Sequence, residues 1–134
     1  MTDPITVLIA DDQPAQRAGF RMVLDSQPDI TVIGECGDGA QALAQVRRTR
    51  TDVILMDVRM PRVNGLVAAE RIVADARVLA IGPAPRVVLV TALDLGDHAA
   101  TAAGVGAHNL LFKDVAPEVL LDAVRAAAAD HGRA

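Results

Sequence analysis

Five short apolar runs, each followed by a stretch with helical spacing, constrain this chain more than any other feature. The runs are Ile5–Ala10, Ile30–Glu35, Val53–Asp57, Val87–Val90 and Leu110–Phe112. Short apolar runs bounded by polar residues read as strands buried on both faces, the kind found in parallel sheets. A first helix is predicted over Gln13–Ser26, with Pro14 in its first turn, where no N–H is needed. A second follows Gly37-Asp38-Gly39, with Asp38 placed to cap it and Arg47, Arg48 and Arg50 at its C-terminal end as a solvated helix end. A third starts near Leu66, but its end is open, because 74–81 stays apolar and the breakers Gly82 to Pro85 arrive late. A weaker fourth carries Ala99, Ala100, Ala102 and Ala103, and Pro117 opens the last after Ala116, without a hydroxyl cap. Five-fold alternation predicts an α/β, doubly wound, five-stranded parallel sheet with five helices on its two faces.

Bulk properties narrow the function. A chain of 134 residues fits a single domain over 1–134, with its core at about 5–129. With no Trp or Tyr and two Phe, the core is expected to be aliphatic. A net charge of −4 argues against gripping nucleic acid through this chain's own surface. Cys36 is alone, so no intrachain disulfide can form; it is expected to be a small buried residue in a reducing cytoplasm. No basic leader opens the chain and no apolar stretch approaches a membrane span. The histidines at 98, 108 and 131 are scattered without metal-site spacing and are expected at the surface.

The residues just past the strands carry the chemistry. Asp11 and Asp12 follow the first strand, Asp57 ends the third, Thr91 the fourth, and Lys113 follows the fifth. In a parallel sheet these positions open on one edge, where ligands gather in open α/β folds. Taken singly, each has a plain structural reading: a polar turn, a strand-end cap, a β-branched strand residue, a surface lysine. Their conjunction favours a shared site. Crowded carboxylates repel one another unless a cation sits among them, and Mg²⁺, a hard ion that keeps waters and takes phosphate oxygens, answers that need. A carboxylate beside such an ion can attack a phosphoryl group and hold it as an acyl phosphate. Lys113 and the Thr91 hydroxyl offer a positive charge and a donor for its peripheral oxygens.

These segments resemble the receiver domain of bacterial two-component response regulators, over nearly the whole chain. The matching pieces are Val7–Gln13, Asp52–Pro61, Gly65, Thr91-Ala92 and Lys113. A finer likeness, through Arg17–Arg21, Val58–Pro61, Lys113-Asp114 and Pro117–Arg125, is to the subfamily with a C-terminal LuxR/NarL-type helix-turn-helix. The resemblance implies that Asp57 accepts a phosphoryl group from a sensor histidine kinase, with Thr91 and Lys113 completing the catalytic set. It implies that Asp12, Asp57 and the backbone carbonyl of Arg59 bind Mg²⁺, with Asp11 acting mainly through metal-bound water. It also implies the flavodoxin-like strand order 2-1-3-4-5, homodimerisation, and contact with DNA only through a C-terminal effector domain absent from this chain.

The chain departs from that pattern in three places. The aromatic residue usual before the lysine is Leu110 here, and Phe112 stands two positions later, on Leu110's side by alternation. The stretch between Gly65 and Thr91 is longer than the family norm, with the surplus expected in 74–85 as an extra helical turn or loop packed on its own domain. Gly104 and Gly106 predict a short, easily frayed fourth helix. Other readings are a stand-alone receiver that signals by protein contact, a degenerate receiver, an Asp-nucleophile phosphohydrolase and a flavodoxin relative. Arg59 stands where the hydrolase needs its second acid, and Asp11-Asp12-Gln13 would repel the phosphate of a flavin. The chain is therefore expected to be a regulatory phosphoacceptor rather than a turnover enzyme.

Overall fold

The computed structural model describes residues 3–92 and 104–131. Its strands are β1 (Ile5–Ala10), β2 (Ile30–Cys36), β3 (Val53–Asp57), β4 (Arg86–Thr91) and β5 (Asn109–Phe112). They form one parallel sheet in the order β2-β1-β3-β4-β5, the order the resemblance implied. The described helices are α1 (Pro14–Asp25), α2 (Gly39–Arg48), α3 (Gly65–Ala74), α4 (Ala76–Ala80) and α5 (Pro117–Asp130). The helix expected over 99–103 lies outside the described residues.

Strand alternation sorts the core into two layers. Val7, Ile9, Val53, Leu55, Val88 and Val90 face one side and pack on Phe20 and Leu24 of α1 and on Leu120, Val124 and Ala127 of α5. Leu8, Ile54, Met56, Val87 and Leu89 face the other and pack on Val46 of α2, Ala68 and Ile72 of α3 and Val78 of α4. Every residue of β3 is buried, as expected of the central strand between two helical layers.

Helix ends follow the local chemistry. Asp38 Oδ1 accepts from Gln41 N at 2.8 Å and caps α2, as its position predicted. Asn64 Oδ1 caps α3 through Val67 N. Pro117 opens α5 without a side-chain cap, since Ala116 has no acceptor to offer. The open question of where the third helix ends is settled by Asp75. Its Oδ1 accepts from Arg77 N and Val78 N, so it stops α3 and starts the single turn of α4. Arg47 donates twice to Asp75 Oδ2 and ties this turn to α2. The surplus stretch thus packs on its own domain through buried Val78, while Leu79 and Ile81 stay exposed.

Three surface or burial expectations need correction. His131 is not at the surface: it is 3% exposed, with Nδ1 3.1 Å from Asp52 Oδ1 and Nε2 3.1 Å from the Pro83 carbonyl. The reason is the length of α5, which carries its C-cap back over the amino edge of the sheet. His108 is half-buried and pairs through Nε2 with Asp130 at 2.7 Å. Arg47 is half-buried through its pairing with Asp75, unlike exposed Arg48 and Arg50. Cys36 is only half-buried, yet burial pushes its thiol up to about 11, which keeps it protonated and unreactive. Among the described residues, no helix is long and apolar enough to cross a membrane.

Candidate phosphoacceptor site

Parallel pairing brings the strand ends together. Ala10 pairs with Met56 and Asp57 with Val90, so Asp11 and Asp57 leave adjacent strands at one level. Thr91 pairs with Phe112, and Lys113 N donates to the Thr91 carbonyl at 2.9 Å. All five strand-end residues therefore reach the carboxyl edge. Asp11, Asp57 and Thr91 are buried there, whereas Asp12 is exposed. Asp12, Asp57, Arg59, Thr91 and Lys113 line an open cleft of about 230 Å³ together with Gln13 and Ala92.

Two loops shape the cleft. After β1, Asp11 N donates to the Cys36 carbonyl at 2.9 Å, and Asp11 Oδ1 accepts from Gln13 N at 2.9 Å. After β3, Arg59 N donates to Asp57 Oδ1 at 3.2 Å, and Gly65 N donates to the Val58 carbonyl. A Cβ on Gly65 would stand 2.1 Å from the Asp57 carbonyl oxygen, so only glycine lets α3 begin this close to the strand end. Arg62, in the same loop, adopts a left-handed φ of 64° and reaches the buried Asp38 carboxylate with Nε and Nη2.

The charges at the edge are unevenly matched. Lys113 Nζ lies 3.1 Å from Asp57 Oδ2 and 3.0 Å from Asp11 Oδ2. The first contact is an aligned hydrogen bond; the second has the distance without the alignment, leaving Asp11 Oδ2 buried with no well-directed donor among the described residues. Burial raises the Asp57 carboxyl above the ordinary carboxylate value, Asp11 pushes it the same way, and Lys113 pulls against both. Burial lowers Lys113, but its two carboxylate partners outweigh this and hold the ammonium above its usual range. Oxygens of Asp11, Asp12 and Asp57 lie within 4.8 Å of one another. Three carboxylates, one of them with an undirected buried oxygen, form a hard donor set that fits a small divalent cation beside a ligand carrying negative charge.

Sequence reasoning named these residues but not what holds them. Arg17 Nη1 donates to the Asp11 carbonyl at 2.6 Å, a bond no sequence pattern signals because its acceptor is backbone. Lys113, expected to meet phosphoryl oxygens, here bridges the carboxylates of Asp11 and Asp57. Where the family's aromatic residue would stand, Leu110 packs with the α2–α3 layer, and Phe112 is 38% exposed.

A doubly wound parallel sheet with an acid triad, a hydroxyl and an ammonium on its carboxyl edge is the arrangement of a signal-receiver class of domain. The sequence pattern of the response regulator receiver domain matches residues 7–125, and the chain belongs to that family. It is 44% identical over 126 residues, 94% of this chain, to the uncharacterized transcriptional regulatory protein YxjL of Bacillus subtilis. It is 36% identical over 93% of its length to the nitrate/nitrite response regulator protein NarP of Escherichia coli. Each match covers 55% of the relative, so the chain spans about half the length of these curated relatives. Among solved structures, the signal receiver domain of the NarL response regulator of Mycobacterium tuberculosis superposes with a TM-score of 0.80 at 30% identity, covering 92% of this chain and 98% of that one.

Proposed function

We propose that this chain is a phosphoacceptor that takes a phosphoryl group from a sensor histidine kinase onto Asp57, with Mg²⁺, and thereby switches a transcriptional output. The observation that carries this reading is the placement of Asp57: buried at the end of the central strand, hydrogen-bonded to Lys113, and within 4.8 Å of the carboxylates of Asp11 and Asp12. Asp12, Asp57 and the Arg59 carbonyl would hold the cation directly, with Asp11 acting through bound water. Mg²⁺ would supply charge neutralisation between the carboxylates and the entering phosphoryl oxygens.

In the transfer, an Asp57 carboxylate oxygen attacks phosphorus. The O–P bond forms as the N–P bond to the kinase imidazole breaks, and that imidazole takes up a proton. Lys113 stays charged throughout and moves from carboxylate to phosphoryl oxygen. Thr91, one strand over, offers its hydroxyl to another oxygen. Drawing Thr91 and Lys113 toward Asp57 shifts β4 and β5, and exposed Phe112, paired in register with Thr91, lies where that shift is felt. A partner reads the altered face, most simply a second copy of the chain, forming a homodimer.

The names of the relatives support a transcriptional role, and their greater length leaves room for a C-terminal DNA-binding domain through which all DNA contact would run. The chain would work in the cytoplasm as a regulator rather than a turnover enzyme. Intact mass after incubation with a small-molecule phosphodonor tests the chemistry. A single phosphoryl adduct should form on the wild type only with Mg²⁺, and never on Asp57→Ala. A folded wild type that takes no adduct under any condition overturns the reading.

A further inference from the structure

Arg17 lies one turn into α1, and its guanidinium leaves the helix to serve two partners. Nε donates to Glu35 Oε1 at 3.2 Å, and Nη1 donates to the Asp11 carbonyl at 2.6 Å. Glu35 is held in turn by Arg21, whose Nη1 reaches Oε2 at 2.6 Å from the next turn of the same helix. The Asp11 carbonyl belongs to the peptide that joins the two acids of the loop. Because that peptide is planar, holding its oxygen also places the N–H and the Cα of Asp12, the point from which its carboxylate reaches out. Asp11 is secured on its other side by the bond from its own N–H to Cys36. Among the described residues, exposed Asp12 is held only through its neighbours, by Arg17 on the Asp11 carbonyl and by Gln13 N on Asp11 Oδ1, and of these Arg17 acts on the peptide that carries the Asp12 N–H.

We propose that Arg17 is a positioning residue for the acid-pair loop: anchored on Glu35, it presets the Asp11–Asp12 peptide so that both carboxylates face the cation site. The proposal rests on the phosphoacceptor reading and deepens it. Charge alone would work the other way, since a guanidinium near a cation site repels the cation. Arg17 already spends its charge on Glu35, so the ordering effect outweighs the repulsion. Ligands held by outer partners typically lose 10- to 100-fold in metal affinity when the partner is removed, and the lower end suits a partner that acts through backbone.

The test is a Mg²⁺ titration of the full chain, followed by amide shifts of Asp12 and Gln13 without phosphodonor and by phosphorylation rate with it. Arg17→Ala should weaken Mg²⁺ binding by roughly tenfold and raise the Mg²⁺ needed for half-maximal rate equally. The rate at saturating Mg²⁺ should stay within about twofold, a split that general destabilisation would not produce. The pair Arg17→Gln with Glu35→Gln keeps the net charge and should behave like Arg17→Ala. Arg17→Lys can reach the carbonyl but not both partners, so it should recover part of the loss. Binding within about twofold of wild type in folded Arg17→Ala, or in the charge-neutral pair if the single variant does not fold, overturns the proposal. If wild type itself neither binds Mg²⁺ nor takes the phosphoryl group, the phosphoacceptor reading fails instead.

Discussion

Two buried aspartates mark the ends of strand β3, Asp52 just before it and Asp57 as its last residue, and the sheet treats them in opposite ways. Asp52, at the amino edge, is met on every side. Its Oδ2 accepts from Thr6 N at 2.9 Å and Thr6 Oγ1 at 3.1 Å, and its Oδ1 faces His131 Nδ1. Its own N–H reaches back to Thr6, and its carbonyl accepts from Arg86 N, so one residue joins β1, β3, β4 and the end of α5. Asp57, five residues on, shares one ammonium with Asp11 and is pushed above its ordinary value by burial. A saturated carboxylate locks structure, whereas an under-matched one suits the cation and phosphoryl group proposed for it. The same residue type serves structure at one edge and, in the proposed function, chemistry at the other.

The comparison breaks most readily at Asp52. Asp52→Ala removes the acceptor for two Thr6 donors and the partner of buried His131 Nδ1, and leaving buried polar groups unpaired costs about 1–3 kcal/mol for each. Denaturant unfolding should show this loss with an unchanged m-value, while native protein still takes the phosphoryl group on Asp57. A destabilisation under about 1 kcal/mol would mean that the amino edge is not the lock described here.

Asp57→Asn should move stability the other way. The amide keeps an acceptor for Arg59 N and removes one of the crowded charges, while Lys113 retains Asp11. A gain of about 1 kcal/mol, a few degrees in thermal midpoint, is expected alongside complete loss of the phosphoryl adduct. If the variant melts below wild type, Asp57 is structurally satisfied and the contrast between the edges collapses.

The carboxyl edge was legible in the sequence because strand ends are. Five apolar runs fix five exits, and four of them carry the site residues: Asp11 and Asp12 at the first, Asp57 at the third, Thr91 at the fourth and Lys113 at the fifth. The amino edge was not legible. His131 meets Asp52 across 79 positions, and nothing in a lone histidine after an alanine-rich helix announces a buried carboxylate partner. Arg17 was hidden for a different reason, because its key acceptor is a backbone carbonyl that every residue carries. Asp75 was readable in principle. It is an N-cap residue type inside an apolar stretch, but continuity of the apolar pattern outweighed it in a reading based on periodicity. Pattern finds what faces a layer, while pairs distant in sequence emerge only once the layers are stacked.

Asp75 sharpens the comparison as a third case, a carboxylate near the surface with ample partners. Arg47 first, then the N–H groups of Val78 and Arg77, hold its carboxyl down at about 2, well under the ordinary value of 3.8. A depressed acid contributes stability that is fully present above its unfolded value and lost as pH falls through its folded value. Asp57 has the opposite sign: raised in the fold, it favours the native state below its unfolded value and withdraws that support as pH rises through its folded value. Asp75→Asn keeps a cap for α4 but loses the pairing with Arg47. Its stability deficit relative to wild type should therefore be constant near neutrality and vanish between about pH 4 and pH 2. Asp57→Asn should show its gain above that window and lose it toward acid, so the two difference curves against wild type would lie on opposite sides of zero and meet near pH 2. Thermal midpoints of the three proteins over that range measure both curves, and a deficit in Asp75→Asn that persists unchanged to pH 2 would remove Asp75 from the acid-sensitive groups.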